Sequence, residues 1–211
     1  MKTCILILCS PRSGSSCLAG CVNLCGASLG KNVTQVKDKH NSKGYFENQK
    51  LLRTHQNIIN NNNIPIFASD IPTQVDSQET RELLCKVFEN QFEGDELFAI
   101  KDPRILFMKP TYLGALSDYG ANVKVLALRR KPEHSAASID AGPWAKNKGL
   151  ASHSRYTQLL NEFGVEPKLE VQFEDLISNP KGTMQKVCEF MGTQYNPEVE
   201  SFVDKGMVHQ K

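Results

Sequence analysis

Residues 4–16, CILILCSPRSGSS, constrain this chain more than any other stretch. An apolar run from Ile5 to Cys9 stops at Ser10 and Pro11. A polar turn follows through Arg12, Ser13, Gly14, Ser15 and Ser16, and then the helix-compatible CLAGCVNLCGA. The pattern is strand, tight turn, helix. Such a turn aims several backbone N–H groups at one spot, at the positive end of a helix dipole, and so makes an anion site suited to phosphate or sulfate. Ser15 and Ser16 add hydroxyl donors, and Arg12 adds a planar fork of permanent charge. The turn is not the usual nucleoside-triphosphate loop, which needs G-x-x-x-x-G-K-[ST]; one glycine is present and no lysine precedes the serine pair. A cysteine-phosphatase arrangement is also excluded, because C-x5-R counted from Cys9 would need arginine where Ser15 stands. A serine-rich connection with a solvated arginine has the same local sequence, so the rest of the chain must decide.

The chain alternates. Strands are predicted at 3–9, 64–68, 97–101, 123–128 and 169–173. Helices are predicted at 15–27, 47–60, 77–91, 105–118, 132–139, 152–162 and 182–191. Short apolar strands between helices predict an α/β fold with a central parallel sheet of about five strands and helices on both faces. Ligands of such sheets bind at the carboxyl edge of the strands. Three predicted strand ends carry basic residues: Arg12 after the first, Lys101–Asp102–Pro103–Arg104 after the third, and Arg129–Arg130–Lys131 after the fourth. A parallel sheet brings them to one edge.

The length of 211 residues fits a single domain spanning 1–211. A formal charge of +2 gives no general attraction to nucleic acid or membranes. The 7 cysteines form no C-x-x-C pair, and Cys17, Cys21 and Cys25 read as small buried residues of one helix rather than metal ligands. Free thiols, and an N-terminal apolar run too short for a signal peptide or span, lead us to expect a cytoplasmic protein without membrane insertion.

Three motifs now resemble, in order, those of the sulfotransferases that use 3′-phosphoadenosine 5′-phosphosulfate (PAPS). SPRSGSS at 10–16 resembles the loop around the donor's 5′-phosphosulfate. LALRRKPEHSAAS at 126–138 resembles the 3′-phosphate motif, with Arg130 two residues before Pro132 and Ser138 six after it. Its physics stands alone: Arg130 can set its fork on a phosphate dianion, Pro132 suits a first helical turn, and Ser138 lies almost two turns along. FEDLISNP at 173–180 is similar to the family's Y-E-D-L segment, except that Phe173 stands where tyrosine is usual. IKDPR at 100–104 and GYFEN at 44–48 resemble elements of the tyrosylprotein and bacterial sulfotransferases. The cytosolic phenol and steroid enzymes have K-T-H instead of Lys101–Asp102–Pro103, so their catalytic histidine would align with Pro103 and is missing here.

The resemblance implies a P-loop-like three-layer fold and metal-independent in-line transfer of a sulfuryl group from PAPS to a hydroxyl, or less readily an amine, of a small acceptor. It implies that Ser13, Gly14, Ser15, Ser16, Arg130 and Ser138, with Arg12, bind the cosubstrate, whose product is adenosine 3′,5′-bisphosphate. Arg12 and Lys101 would stabilise charge on the transferring group. For the general base, Glu47 is the first choice, Asp102 the rival, and His40 the one histidine in an acceptor loop. Residues 30–46 and 140–153, the second containing Trp144, are the expected acceptor-site loops. Two other functions stay open: a P-loop kinase or nucleotide hydrolase, and a non-catalytic bisphosphate-binding module.

Overall fold

A computed structural model describes residues 1–34, 44–142 and 145–203. Strand β1 (Lys2–Cys9) turns into helix α1 (Ser15–Leu24). Short strands β2 (Val33–Thr34) and β3 (Glu47–Asn48) pair antiparallel and lead into α2 (Gln49–Asn61) and α3 (Gln78–Gln91). Next come β4 (Leu97–Lys101), a 3-10 turn (Pro103–Phe107), α4 (Lys109–Asp118) and β5 (Ala121–Arg129). The chain continues through α5 (Pro132–Asp140), α6 (Gly149–Asn161), β6 (Lys168–Gln172), α7 (Phe173–Ser178), α8 (Pro180–Met191) and α9 (Glu198–Phe202).

The main sheet is parallel and has four strands, in the order β4-β1-β5-β6. The period-2 alternation of β1 builds two cores. Cys4, Leu6 and Leu8 join Phe88, Phe107, Tyr112 and Tyr156 on one face. Ile5, Ile7 and Cys9 join Leu18, Val22, Leu176 and Val187 on the other. Residues 4–9 are entirely buried, as a strand with both faces covered requires. No helix among the described residues is long and apolar enough to cross a membrane.

Local chemistry sets the helix starts. Asn48 Oδ1 accepts from the amides of Lys50 and Leu51, both at 3.1 Å, and caps α2. The expected helix start at 47 is therefore corrected: Glu47 lies in β3, one residue before that cap.

Two further expectations are corrected. No strand forms at 64–68, which reduces the sheet from about five strands to four. Pro65 lacks a donor for a ladder, and the carbonyls of Pro65 and Ile66 are satisfied by the Arg155 guanidinium at 2.6 and 3.3 Å. The helix expected at 105–118 is divided into the 3-10 turn and α4, with Pro110 in the first turn of α4.

Leu6→Ala, which empties the centre of the buried strand, should lower unfolding free energy by about 2–5 kcal/mol. Urea denaturation of variant and wild type measures it.

Candidate active site

The sheet edge where β1, β4 and β5 end forms the site. Ile7 pairs with Lys101, and Cys9 with Leu128, so the loops after these strands begin close together. From β1 the chain passes to α1 on one face; β4 and β5 continue to the 3-10 turn and, through α5, to α6 on the other. Departures to opposite faces open a crevice at the carboxyl edge.

On one side of the crevice the loop after β1 is stitched to the connection after β5. Arg130 Nη1 donates to the Arg12 carbonyl at 2.9 Å, and Arg12 Nε to Ser138 Oγ at 3.2 Å. Ser135 Oγ donates to the Pro11 carbonyl at 3.1 Å. Arg12 itself has φ 64°, a conformation that costs a non-glycine residue about 1–3 kcal/mol. Gly14 is the N-cap of α1, with φ 85° and no side-chain cap. The first turn of α1 also carries no acidic residue, so its amides face the loop uncompensated.

Glycine is required at 14, because a Cβ there would lie 2.2 Å from the Phe173 ring. That ring also lies 4.9 Å from the Arg130 guanidinium carbon. Phe173, expected at the end of a strand, starts α7 instead, and its ring forms a wall between Gly14 and Arg130.

The electrostatics favour an anion here. Burial lowers the Arg130 pKa, the nearby charge of Arg12 lowers it too, and Glu174 opposes them. Arg130 Nε and Ser13 Oγ are buried without a partner among the described residues. Cys9, just before the loop, has its thiol pushed up to about 11 by burial, against a bond from Ser15.

On the other side, Lys101 Nζ meets Glu47 Oε1 at 2.5 Å and lies 3.5 Å from Ser16 Oγ. Phe46, immediately before Glu47, also has positive φ without being glycine, 51°. Its ring packs edge-on against Phe202 of α9, with centroids 5.5 Å apart. The neighbouring Asp102 is engaged by other partners. Its Oδ2 takes His55 Nδ1 at 2.7 Å and Arg104 Nη2 at 2.7 Å, and its Oδ1 takes Arg104 Nε at 2.8 Å and the Arg104 amide at 2.9 Å. Burial alone would raise its pKa, but Arg104 and His55 hold it well below the usual carboxylate range. With both oxygens saturated, Asp102 is a buried anchor and a poor proton acceptor.

The family model described as "Sulfotransferase family" matches residues 4–197. This chain belongs to the sulfotransferase family. Its fold resembles the sulfotransferase domain of the curacin biosynthetic pathway, at 16% identity and TM-score 0.57, covering 97% of this chain and 78% of that one. It also resembles the sulfotransferase domain of the Synechococcus PCC 7002 olefin synthase, at 16% identity and TM-score 0.54, covering 99% and 81%. At these identities the likeness is one of fold. No curated protein sequence matches the chain.

In this sulfotransferase the structure brings Arg12, Ser13, Gly14, Arg130 and Ser138 to one side of the crevice, and Ser16, Lys101 and Glu47 to the other. His40 and Trp144 lie outside the described residues, as do 35–43 within the expected acceptor loop. In the second expected loop, Asp140 Oδ1 accepts from the Gly149 amide at 2.8 Å, and 149–153 are the first turn of α6. Sequence reasoning missed His55 and Ser135. For His55 the signal was present: it shares the α2 face of Leu51, Ile58 and Ile59, all buried, and an ionisable residue on an apolar stripe needs a partner.

Asp102→Asn leaves Arg104 buried without its counter-charge and should cost about 3–5 kcal/mol at pH 7. Because the folded-state pKa is depressed, this advantage of the wild type is present above the unfolded pKa of about 3.9. It is lost as pH falls through the lower folded value. Urea unfolding of both proteins from pH 7 downward should show the gap closing only below about pH 4.

Proposed function

We propose that this sulfotransferase-family protein moves the sulfuryl group of PAPS to a hydroxyl of a small molecule. One observation carries the reading. The two cationic loops, joined by the Arg130–Arg12 bond, flank the uncapped start of α1, while the Lys101–Glu47 pair reaches the same turn through Ser16.

The cosubstrate fits this chemistry. Amides of Ser13 to Ser16 would hold its 5′-phosphate at the helix start. Arg130 and Ser138 would hold the 3′-phosphate, giving the Arg130 guanidinium the anion that its buried setting lacks. In the transfer, the acceptor oxygen forms a bond to sulfur as the bond from sulfur to the 5′-phosphate oxygen breaks. The electron pair of that bond leaves on the phosphate, and Glu47 takes the hydroxyl proton. Arg12 and Lys101 balance charge on the sulfuryl and bridging oxygens, as preorganised groups do in phosphoryl transfer. All positive charge in this scheme comes from side chains, so no step calls on a metal. Seven free cysteines fit a reducing, cytoplasmic setting.

Calorimetry with adenosine 3′,5′-bisphosphate and with ATP plus magnesium tests the donor. The bisphosphate should bind without metal, and Arg130→Ala should abolish most of that affinity. Preference for ATP and magnesium would favour a kinase, and tight bisphosphate binding without turnover of any acceptor a binding module. Glu47→Gln should bind the bisphosphate normally and slow transfer by about 10²–10⁴, read with labelled PAPS.

A further inference from the structure

A small cavity adjoins the Lys101–Glu47 pair, and His55, Asp102 and Asn48 also border it, among apolar walls such as Leu51 and Ile100. It has room for about one water and for nothing larger. A water stays in such a place only if about 2–4 polar groups hold it. Two of the polar neighbours are already used. Both oxygens of Asp102 are taken by His55 and Arg104. The Asn48 side-chain nitrogen donates to the Lys31 carbonyl and to Gln91, and its oxygen caps α2. His55, Glu47 and Lys101 have capacity left.

The His55 ring is wholly buried and held in one orientation. Nδ1 is 2.7 Å from Asp102 Oδ2, and the ring packs edge-on against Tyr112, centroids 5.3 Å apart. An ionised carboxylate only accepts, so Nδ1 carries the hydrogen and in the neutral ring the lone pair is on Nε2. Nε2 is buried and has no partner among the described residues. A buried polar atom left unpaired is costly, and such atoms in native proteins mark missing partners. On the other wall, the Lys101 ammonium has three hydrogens. Glu47 Oε1 takes one at 2.5 Å, and Ser16 Oγ stands at 3.5 Å, the limit of a second bond. That bond leaves the Glu47 carboxylate with lone pairs for further donors.

We propose that one buried water joins His55 Nε2 to the Lys101–Glu47 pair, and that His55 is through it a positioning residue for Glu47. The proposal rests on the sulfotransferase reading above and deepens the role given there to Glu47. The donor count closes: the water gives one hydrogen to Nε2 and one to the Glu47 carboxylate, and accepts from Lys101. A polar chain then runs from Arg104 through Asp102, His55 and the water to Glu47. Its far end is firm, because Arg104 clamps Asp102 and is tied by Nη1 to Gln56 on the helix that bears His55. Lys101 holds the Glu47 carboxylate from one direction, and the water holds it from another. A proton acceptor needs that fixed aim, since a shift of about 1 Å in a reacting group costs about 10²-fold in rate.

The test is NMR of the full chain with labelled histidine and glutamate, first free and then saturated with adenosine 3′,5′-bisphosphate. The ring hydrogens on either side of His55 Nε2 should show a cross-peak to a long-lived water. Glu47→Gln, which identifies the Glu47 carboxyl signal by its loss, should also shift the His55 Nε2 signal. His55→Phe keeps a ring against Tyr112 and removes the water's partner, so it should shift the Glu47 carboxyl signal. His55→Gln, which brings an amide near the Nε2 position, should restore most of that shift. A purely structural histidine would show no water cross-peak, or would leave the Glu47 signal the same in His55→Phe and His55→Gln, and either result overturns the proposal. Should the His55 variants not fold, the wild type and Glu47→Gln decide: absence of the cross-peak, or an Nε2 signal indifferent to Glu47→Gln, sinks it. Failure of wild type to bind the bisphosphate overturns the sulfotransferase reading instead, and the signals of the free protein still decide whether the water bridge exists.

Discussion

The parallel pairing of β1 with β4 on one side and β5 on the other is the constraint on which the rest depends. Through that pairing, residues far apart in the chain end their strands at one edge: Cys9, Lys101 and Arg129. The apolar alternation of β1 fixes the register, since slipping it by one residue would exchange the two cores. Once the edge is set, the loop of residues 10–14 has little freedom. It is tied by Arg130 and Ser135 through backbone carbonyls and by Ser138 through the Arg12 side chain.

Backbone strain and buried charge both occur at this edge. Arg12 and Phe46 both have positive φ without being glycine, and each sits on or beside a residue proposed to act in transfer. Such conformations persist only where neighbours over-determine them. For Arg12 the neighbours are Arg130 and Ser138; for Phe46 they are the edge-on ring of Phe202 and the packing of α9 on α1, where Phe202 also closes over Gly20. The short C-terminal helix thus supports the segment that presents Glu47. The buried Asp102 network does the same for the end of β4, the residue next to Lys101.

The helix-bearing motifs were legible because their spacing has a local cause. Strand, glycine turn and uncapped helix at 4–24, and the Arg–Pro–Ser spacing at 130–138, follow from backbone chemistry within about ten residues. The strand expected at 64–68 was a different kind of inference. Its apolar letters fit a strand, but Pro65 cannot donate, and a guanidinium ninety residues away takes the carbonyls. Phe173 misled for a related reason: its ring is apolar and nearly buried, yet what buries it is the bare backbone of Gly14.

From its residues alone the chain declared a parallel α/β sheet with a basic carboxyl edge, because periodicity and turn chemistry are local properties, and the resemblance of its motifs placed it among the sulfotransferases. Folding decided which charges meet. The Lys101–Glu47 contact spans 54 residues and the Arg12–Ser138 contact 126. The choice of Asp102 as anchor rather than base came from its neighbours His55 and Arg104. The reason is physical: whether a carboxylate is a base or a buried counter-ion depends on the charges packed around it, and those arrive from strands and helices that no local window contains.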